Sequence, residues 1–226
     1  IAAGLFCAIG ILAALQERAR SGLGQMVDVA MLDCQVAILE NAISRYEFTG
    51  EIPRPIGNRH PSIVPFETFN TLSDPIMVAA GNDRLWATLC ELMELEIACD
   101  PRYATNPQRN EHYAELRPIL AEKFMTKTAE EWQPMFDKAG IPSGPINTVD
   151  KVVKNEQLVA REMILEVEHP VAGTTRVPGI PIKLSRTPGE IRMAAPVLGA
   201  DTEKLLNQYL GLTSDQVAEL REKQVI

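Results

Sequence analysis

Basic runs are missing from this 226-residue chain, which carries a formal net charge of −8. That balance argues against general affinity for nucleic acid. It also makes an anionic ligand harder to attract, so any such ligand must be held by local donors. Cysteine is sparse: Cys7, Cys34, Cys90 and Cys99 are widely spaced in apolar surroundings. They have neither zinc-ligand spacing nor the density of a disulfide scaffold, which leads us to expect buried, reduced thiols and a cytoplasmic setting. The three histidines, at 60, 112 and 169, form no HxxxH or similar pattern, so no metal site is expected. His112 and His169 read as surface or strand-edge residues. GxGxxG and the Walker lysine are both lacking, which leaves the turn at Gly81-Asn82 a poor nucleotide cradle. No internal repeat or low-complexity segment interrupts the chain.

A polar lead-in is also lacking at the start. Residues 1–15 form an apolar, Ala-rich run with no Ser, Thr, Asp or Asn ahead of it to cap a helix. The chain therefore reads as cut from a longer parent. The run has no basic segment before it, as a signal peptide would, and falls short of the ~18 apolar residues of a membrane span. It reads as a buried core helix extended by Gln16, Glu17 and Arg18, and no membrane partner is expected.

The remaining composition, 46% hydrophobic and 23% charged, is that of an ordinary globular protein with one or two cores. The first helix should stop near Ser21-Gly22-Leu23-Gly24, a glycine C-cap after basic residues. A short strand over residues 25–29 and an amphipathic helix over residues 31–46 should follow, an α/β arrangement. Beyond a proline-bearing linker, β-type runs are expected at 64–72 and 75–80. Asn82-Asp83 should cap a helix over 84–95, and another should cover 112–125 despite Pro118. Thr128-Ala129-Glu130-Glu131 is a capping box for a helix over 130–138. Strands are expected at 165–169 and 174–177, an extended run at 177–184, and helices over 199–210 and from Thr213 to about residue 223.

The most informative stretch is Gly57-Asn58-Arg59-His60-Pro61-Ser62 leading into Pro65-Phe66-Glu67-Thr68-Phe69. Two X-Pro peptides disfavour helix, and a turn there presents a guanidinium, an imidazole and a hydroxyl together. It reads either as an ordinary strand-entry loop or as a binding loop of the kind rigid scaffolds display.

Taken in order, several elements resemble one family. Ser21-Gly22-Leu23-Gly24-Gln25 is similar to a TGRGQ-type turn, with Leu23 where Arg is usual. Val27-Asp28-Val29-Ala30-Met31-Leu32-Asp33 follows. Gly57-Asn58-Arg59-His60, Gly140-Ile141-Pro142-Ser143-Gly144-Pro145 and Pro196-Val197-Leu198-Gly199-Ala200-Asp201-Thr202 complete the series. Together they resemble the carboxyl-terminal half to two-thirds of a class III CoA-transferase, the formyl-CoA and carnitine CoA-transferase type. The loop version looks nearest to members acting on succinate or glutarate.

The resemblance implies an α/β fold: a partial, large Rossmann-like domain (residues 1–55, rejoined by 161–226) and a smaller α+β domain (56–160), from an interlocked-ring homodimer. It implies an acyl-CoA and a carboxylic acid as partners, coenzyme A as part of the substrate, and no permanently bound cofactor. The family's nucleophile is an aspartate, which attacks the acyl-CoA to give a mixed anhydride that the released CoA thiolate converts to an aspartyl-CoA thioester. In the GD-x-x-x-G pattern it would fall immediately before Ile1, so no catalytic residue is assigned in this sequence, and Asp28 and Asp33 read as structural. Met31 matches a CoA-contacting position, although a Met at the start of an apolar helix is more often packing. Gly57, Asn58, Arg59, His60 and Ser62 are the candidate substrate residues, with Arg59 facing a distal carboxylate and His60 an acyl carboxylate or oxyanion. The alternatives are a non-catalytic assembly or interaction domain of the same fold, and an unrelated α/β binding module.

Overall fold

A computed structural model describes residues 1–226. The chain divides into two compact units, Ile1–Pro61 and Ser62–Ile226.

The first unit is helical. α1 (Ala2–Ser21) ends at Gly22, whose left-handed φ of 77° lets its N–H bond the Arg18 carbonyl, as the glycine signal implies. The expected strand at 25–29 is absent. A strand exists only through a ladder partner, and the first unit holds no other strand to supply one. Gln25 and Val27 instead lie along α1 beside Ile11, Ala14 and Leu15. The expected helix over 31–46 is two helices, α2 (Met31–Ala37) and α3 (Ala42–Thr49). Glu40 between them takes φ 55°, a left-handed conformation that no continuous helix accommodates.

α1 was expected to be buried and too short for a span, and both expectations need correction. None of its residues is buried within this chain, and Leu5, Ile9 and Leu12 are each more than half exposed. The helix has 20 residues, and an 18-residue window of it reaches a mean hydropathy of 1.3, so length and composition alone would permit a membrane crossing.

The second unit carries the core, drawn from residues 64–141. β1 (Phe66–Phe69), β2 (Ile76–Ala79) and β3 (Ser143–Pro145) form an antiparallel sheet in that order, with Phe66 opposite Ala79 and Met77 opposite Gly144. Alternation sends Glu67 and Phe69 of β1, and Ile76 and Val78 of β2, to the buried face. α4 (Asp83–Leu92) begins where the Asn82 side chain accepts the Leu85 N–H. Glycine-poor α5 (Asn106–Glu111) follows two short 3-10 turns, and α6 (Tyr113–Phe124) continues through Pro118. α7 (Ala129–Ala139) opens on the Thr128–Glu131 capping box and ends at left-handed Gly140. Phe69 stacks on Phe124 at 4.4 Å, and Trp132 stacks on Phe136 at 5.4 Å while its Nε1 donates to the Phe124 carbonyl. Each large side chain so enclosed contributes about 1.5–3 kcal/mol.

Beyond the core come α8 (Val149–Val152) and α9 (Glu156–Ala160), both short. β4 (Ile164–His169) pairs with β5 (Gly173–Pro178) as the expected hairpin. The run expected to stay extended to 184 leaves the ladder after Pro178. α10 (Thr202–Leu210) and α11 (Ser214–Glu222) close the chain, the latter on a Thr213–Gln216 capping box.

Candidate functional site

Gly57 takes φ 73°, the left-handed geometry that the turn before Asn58 requires and that a glycine adopts without strain. Past that turn, Arg59 and Pro61 line a cleft of about 210 Å³ in the first unit, together with Arg45 from α3 and Arg54 from the linker. His60 is half-buried. The chain then crosses into the second unit at Ser62.

α5 holds the second half of this stretch by its main chain. The Ser62 carbonyl accepts from Asn106 Nδ2 at 2.8 Å and from Asn110 Nδ2 at 3.0 Å. The Val64 N–H donates to Asn106 Oδ1 at 3.0 Å. The Val64 carbonyl, next to the cis Val64–Pro65 bond, accepts from Arg109 Nε at 2.8 Å. Arg109 is fully buried. Its remaining donors reach the Tyr103 carbonyl (3.0 Å), the Ala104 carbonyl (3.4 Å) and Asp83 Oδ1 (2.8 Å), and its guanidinium lies 5.2 Å over the Trp86 ring. A buried guanidinium is tolerable because its donors are satisfied and Asp83 supplies counter-charge.

A second buried charge, Glu67, lies three residues after Val64. Glu67 accepts from the Tyr113 hydroxyl at 2.8 Å and from Arg117 Nε at 2.9 Å. Arg117 is held above its ordinary pKa: burial acts against the charge, and the Glu67 hydrogen bond and opposite charge outweigh it. β1 thus enters the sheet with its main chain clamped at Val64 and its one inward carboxylate paired.

The other candidates stand apart. Met31 is the first residue of α2, with an exposed side chain in this chain. Asp28 and Asp33 are exposed as well. Asn82 caps α4 by accepting the Leu85 N–H. His112 Nδ1 pairs with the Gln108 carbonyl, and His169 Nδ1 accepts from the Val171 and Ala172 N–H groups in the β4–β5 turn. Sequence reasoning missed Arg45, Arg54, Asn106, Arg109 and Asn110. One signal was available: Thr105 and Gln108 form a capping box, which marks residue 106 as a helix start.

A family model, CoA-transferase family III, matches residues 1–202. Over 226 residues the chain is 35% identical to a succinyl-CoA–D-citramalate CoA-transferase of Chloroflexus aurantiacus, covering 99% of this chain and 56% of that enzyme. It is 31% identical to the human succinyl-CoA:glutarate CoA-transferase, covering 100% of this chain and 52% of the enzyme. Among solved structures, a CAIB/BAIF family protein from Brucella suis superposes with a TM-score of 0.77 at 32% identity, covering 92% of this chain and 54% of that one. The chain spans about half the length of the curated relatives it matches. The sequence elements, the mixed helix-and-strand fold and these matches agree: the chain belongs to CoA-transferase family III.

Proposed function

We propose that the protein moves coenzyme A between an acyl-CoA and a small dicarboxylic acid, with residues 57–62 contributing to the acid's binding site. The observation that carries this reading is the match to dicarboxylate CoA-transferases along essentially the whole chain, at 31% identity or more. The arginine-lined cleft behind the loop supports it, since a carboxylate needs such donors in a chain of net charge −8.

In this reading an aspartate carboxylate oxygen attacks the acyl-CoA carbonyl carbon. The C–S bond breaks, leaving a mixed anhydride and CoA thiolate. The thiolate attacks the aspartyl carbonyl and expels the donor's carboxylate, giving the aspartyl-CoA thioester. The acceptor carboxylate then attacks that thioester, the thiolate leaves, and its return to the acceptor's acyl carbon restores the aspartate. In this reading the aspartate lies outside residues 1–226. The part of these residues is therefore to bind and orient: Gly57 gives the loop its turn, Arg59 pairs with a distal carboxylate, and His60 donates to an acyl oxygen. Asn58 and Ser62 supply further polar contacts, and Met31 lies along the CoA.

The exposed apolar face of α1 is, on this reading, an internal surface of a Rossmann-like large domain rather than a membrane span, and the family match includes that helix. Residues 161–226 rejoin that domain, the small domain covers 56–160, and the assembly is an interlocked homodimer. Four free cysteines suit a cytoplasmic setting.

The test is a transfer assay on the protein expressed from its complete reading frame. Succinyl-CoA is the donor, labelled dicarboxylic acids are acceptors, and hydroxylamine traps the acyl-enzyme. Label should pass into the acceptor's thioester with a protein-bound intermediate. Residues 1–226 alone should turn over no thioester. Failure of every dicarboxylate while monocarboxylates react would overturn the substrate class.

A further inference from the structure

Three arginines, Arg45, Arg54 and Arg59, and one acidic residue, Glu51, line the cleft beside the candidate loop. Ile52, Pro53, Ile56 and Pro61 complete it with apolar surface. Guanidinium groups stay protonated at any physiological pH, so the lining is cationic by about two charges. The side chains of Arg45 and Arg54 enter no ion pair. Of the lining residues only Glu51 is acidic, so the concavity keeps a positive excess that a bound anion would neutralise.

We propose that this cleft is a binding site for one compact dianion, held by Arg45 and Arg54 in addition to Arg59. Its volume of about 210 Å³ lies below the ~300–1,000 Å³ of sites for drug-sized ligands. It therefore takes a short acid or a single phosphate group, not an entire CoA thioester. The apolar residues between the arginines suit the methylene segment of a short dicarboxylate. The proposal deepens the transfer reading, by assigning its acid a three-arginine site, and rests on that reading for the ligand's role but not for its binding.

The test is equilibrium binding to the full-length protein by calorimetry at low ionic strength, where surface electrostatics are least screened. Succinate, glutarate, butyrate and inorganic phosphate are the probes. Succinate or glutarate should bind saturably, with butyrate at least about tenfold weaker. Arg54→Gln and Arg45→Gln should each weaken the dianion about tenfold, the loss of one charge-assisted contact. Arg54→Lys should fall between, because it keeps the charge and loses the fork. Arg192→Gln, remote in sequence and on the surface, should change nothing. Phosphate binding lost in the same variants would retain the site and assign it to a phosphate group. The proposal is overturned if no dianion binds, if butyrate matches succinate, or if Arg54→Gln, at an exposed position that leaves folding intact, binds as well as the parent. Dianion binding without CoA transfer would refute the transfer reading and leave the site standing.

Discussion

Arg109 Nε donates to the Val64 carbonyl at 2.8 Å, and this single bond joins a wholly buried guanidinium on α5 to the residue that introduces the first strand. The same side chain also ties down the Tyr103 carbonyl and Asp83. Its removal would leave two buried carbonyls without donors, at roughly 1–3 kcal/mol each in the least relaxed case. Asp83 is more than half exposed and would regain water, so it adds little. Arg109→Met should therefore destabilise the protein by about 2–4 kcal/mol in urea unfolding. Arg109→Lys should recover less than half, since one ammonium cannot span bonds in three directions. A loss under 1 kcal/mol for Arg109→Met would show that the buried network is replaceable by apolar packing.

Asn106 bonds the loop at two points, donating to the Ser62 carbonyl and accepting from the Val64 N–H. Asn110 backs up only the first of these. Asn106→Ala should cost about 1–3 kcal/mol, two net hydrogen bonds. Because Ser62 is a candidate acid-binding residue, the same change should raise the KM for the acceptor acid several-fold more than it lowers kcat. Asn110→Ala should be milder on both counts. Equal kinetic effects of the two variants would argue that Asn106 acts on stability alone.

These contacts explain what the sequence could and could not disclose. Local signals held where the physics is local. Asn82, Thr128 and Thr213 cap helices through bonds to residues three positions on, and Gly22 and Gly140 end helices by their own φ. The loop at 57–62 was visible because glycine and proline punctuate it. The strand at 25–29 failed because a ladder depends on a partner that local sequence does not specify. The helix over 31–46 failed because its apolar spacing continues across Glu40, where the backbone turns left-handed. Arg109 and the Arg45–Arg54–Arg59 cleft were not legible because their partners lie far along the chain or depend on how a linker folds back. Arg109 reaches Val64 across 45 positions, a separation no periodicity reports.

Cys90 and Cys99 should differ sharply in reactivity. Cys90 is fully buried on α4, and burial pushes its thiol up from 9.0 to about 12, with the Arg109 charge acting in the opposite sense. Cys99 is exposed. In native protein, a disulfide reagent should label Cys99 promptly and leave Cys90 until unfolding. The raised value also carries a sign for stability. The folded thiol holds its proton more tightly than the unfolded one, so this contribution is complete below pH 9 and declines between pH 9 and about 12. Cys90→Val should flatten that part of the stability profile relative to the parent. Identical slopes for the two proteins above pH 9 would contradict the assignment.

Gly179 sits where no side chain fits. It directly follows β5, its N–H donates to the Met163 carbonyl at 2.9 Å, and a Cβ added there would lie 1.8 Å from the Glu162 carbonyl oxygen. The obstructing atoms are main chain, and Glu162 is already held at φ 54°, so rotation of a flexible side chain cannot relieve the clash. Gly179→Ala must part the two segments, break the bond to Met163 and open the hairpin from its Ile164–Pro178 end. The expected cost is about 1–3 kcal/mol, as for other overpacked sites. Hydrogen exchange should quicken first at the β4 amides nearest Ile164 and last at the Gly173 turn. Thr174→Ala, at the exposed far end, should leave exchange near Ile164 unchanged. If Gly179→Ala exchanges like the parent throughout β4, the close approach is not a constraint on the fold.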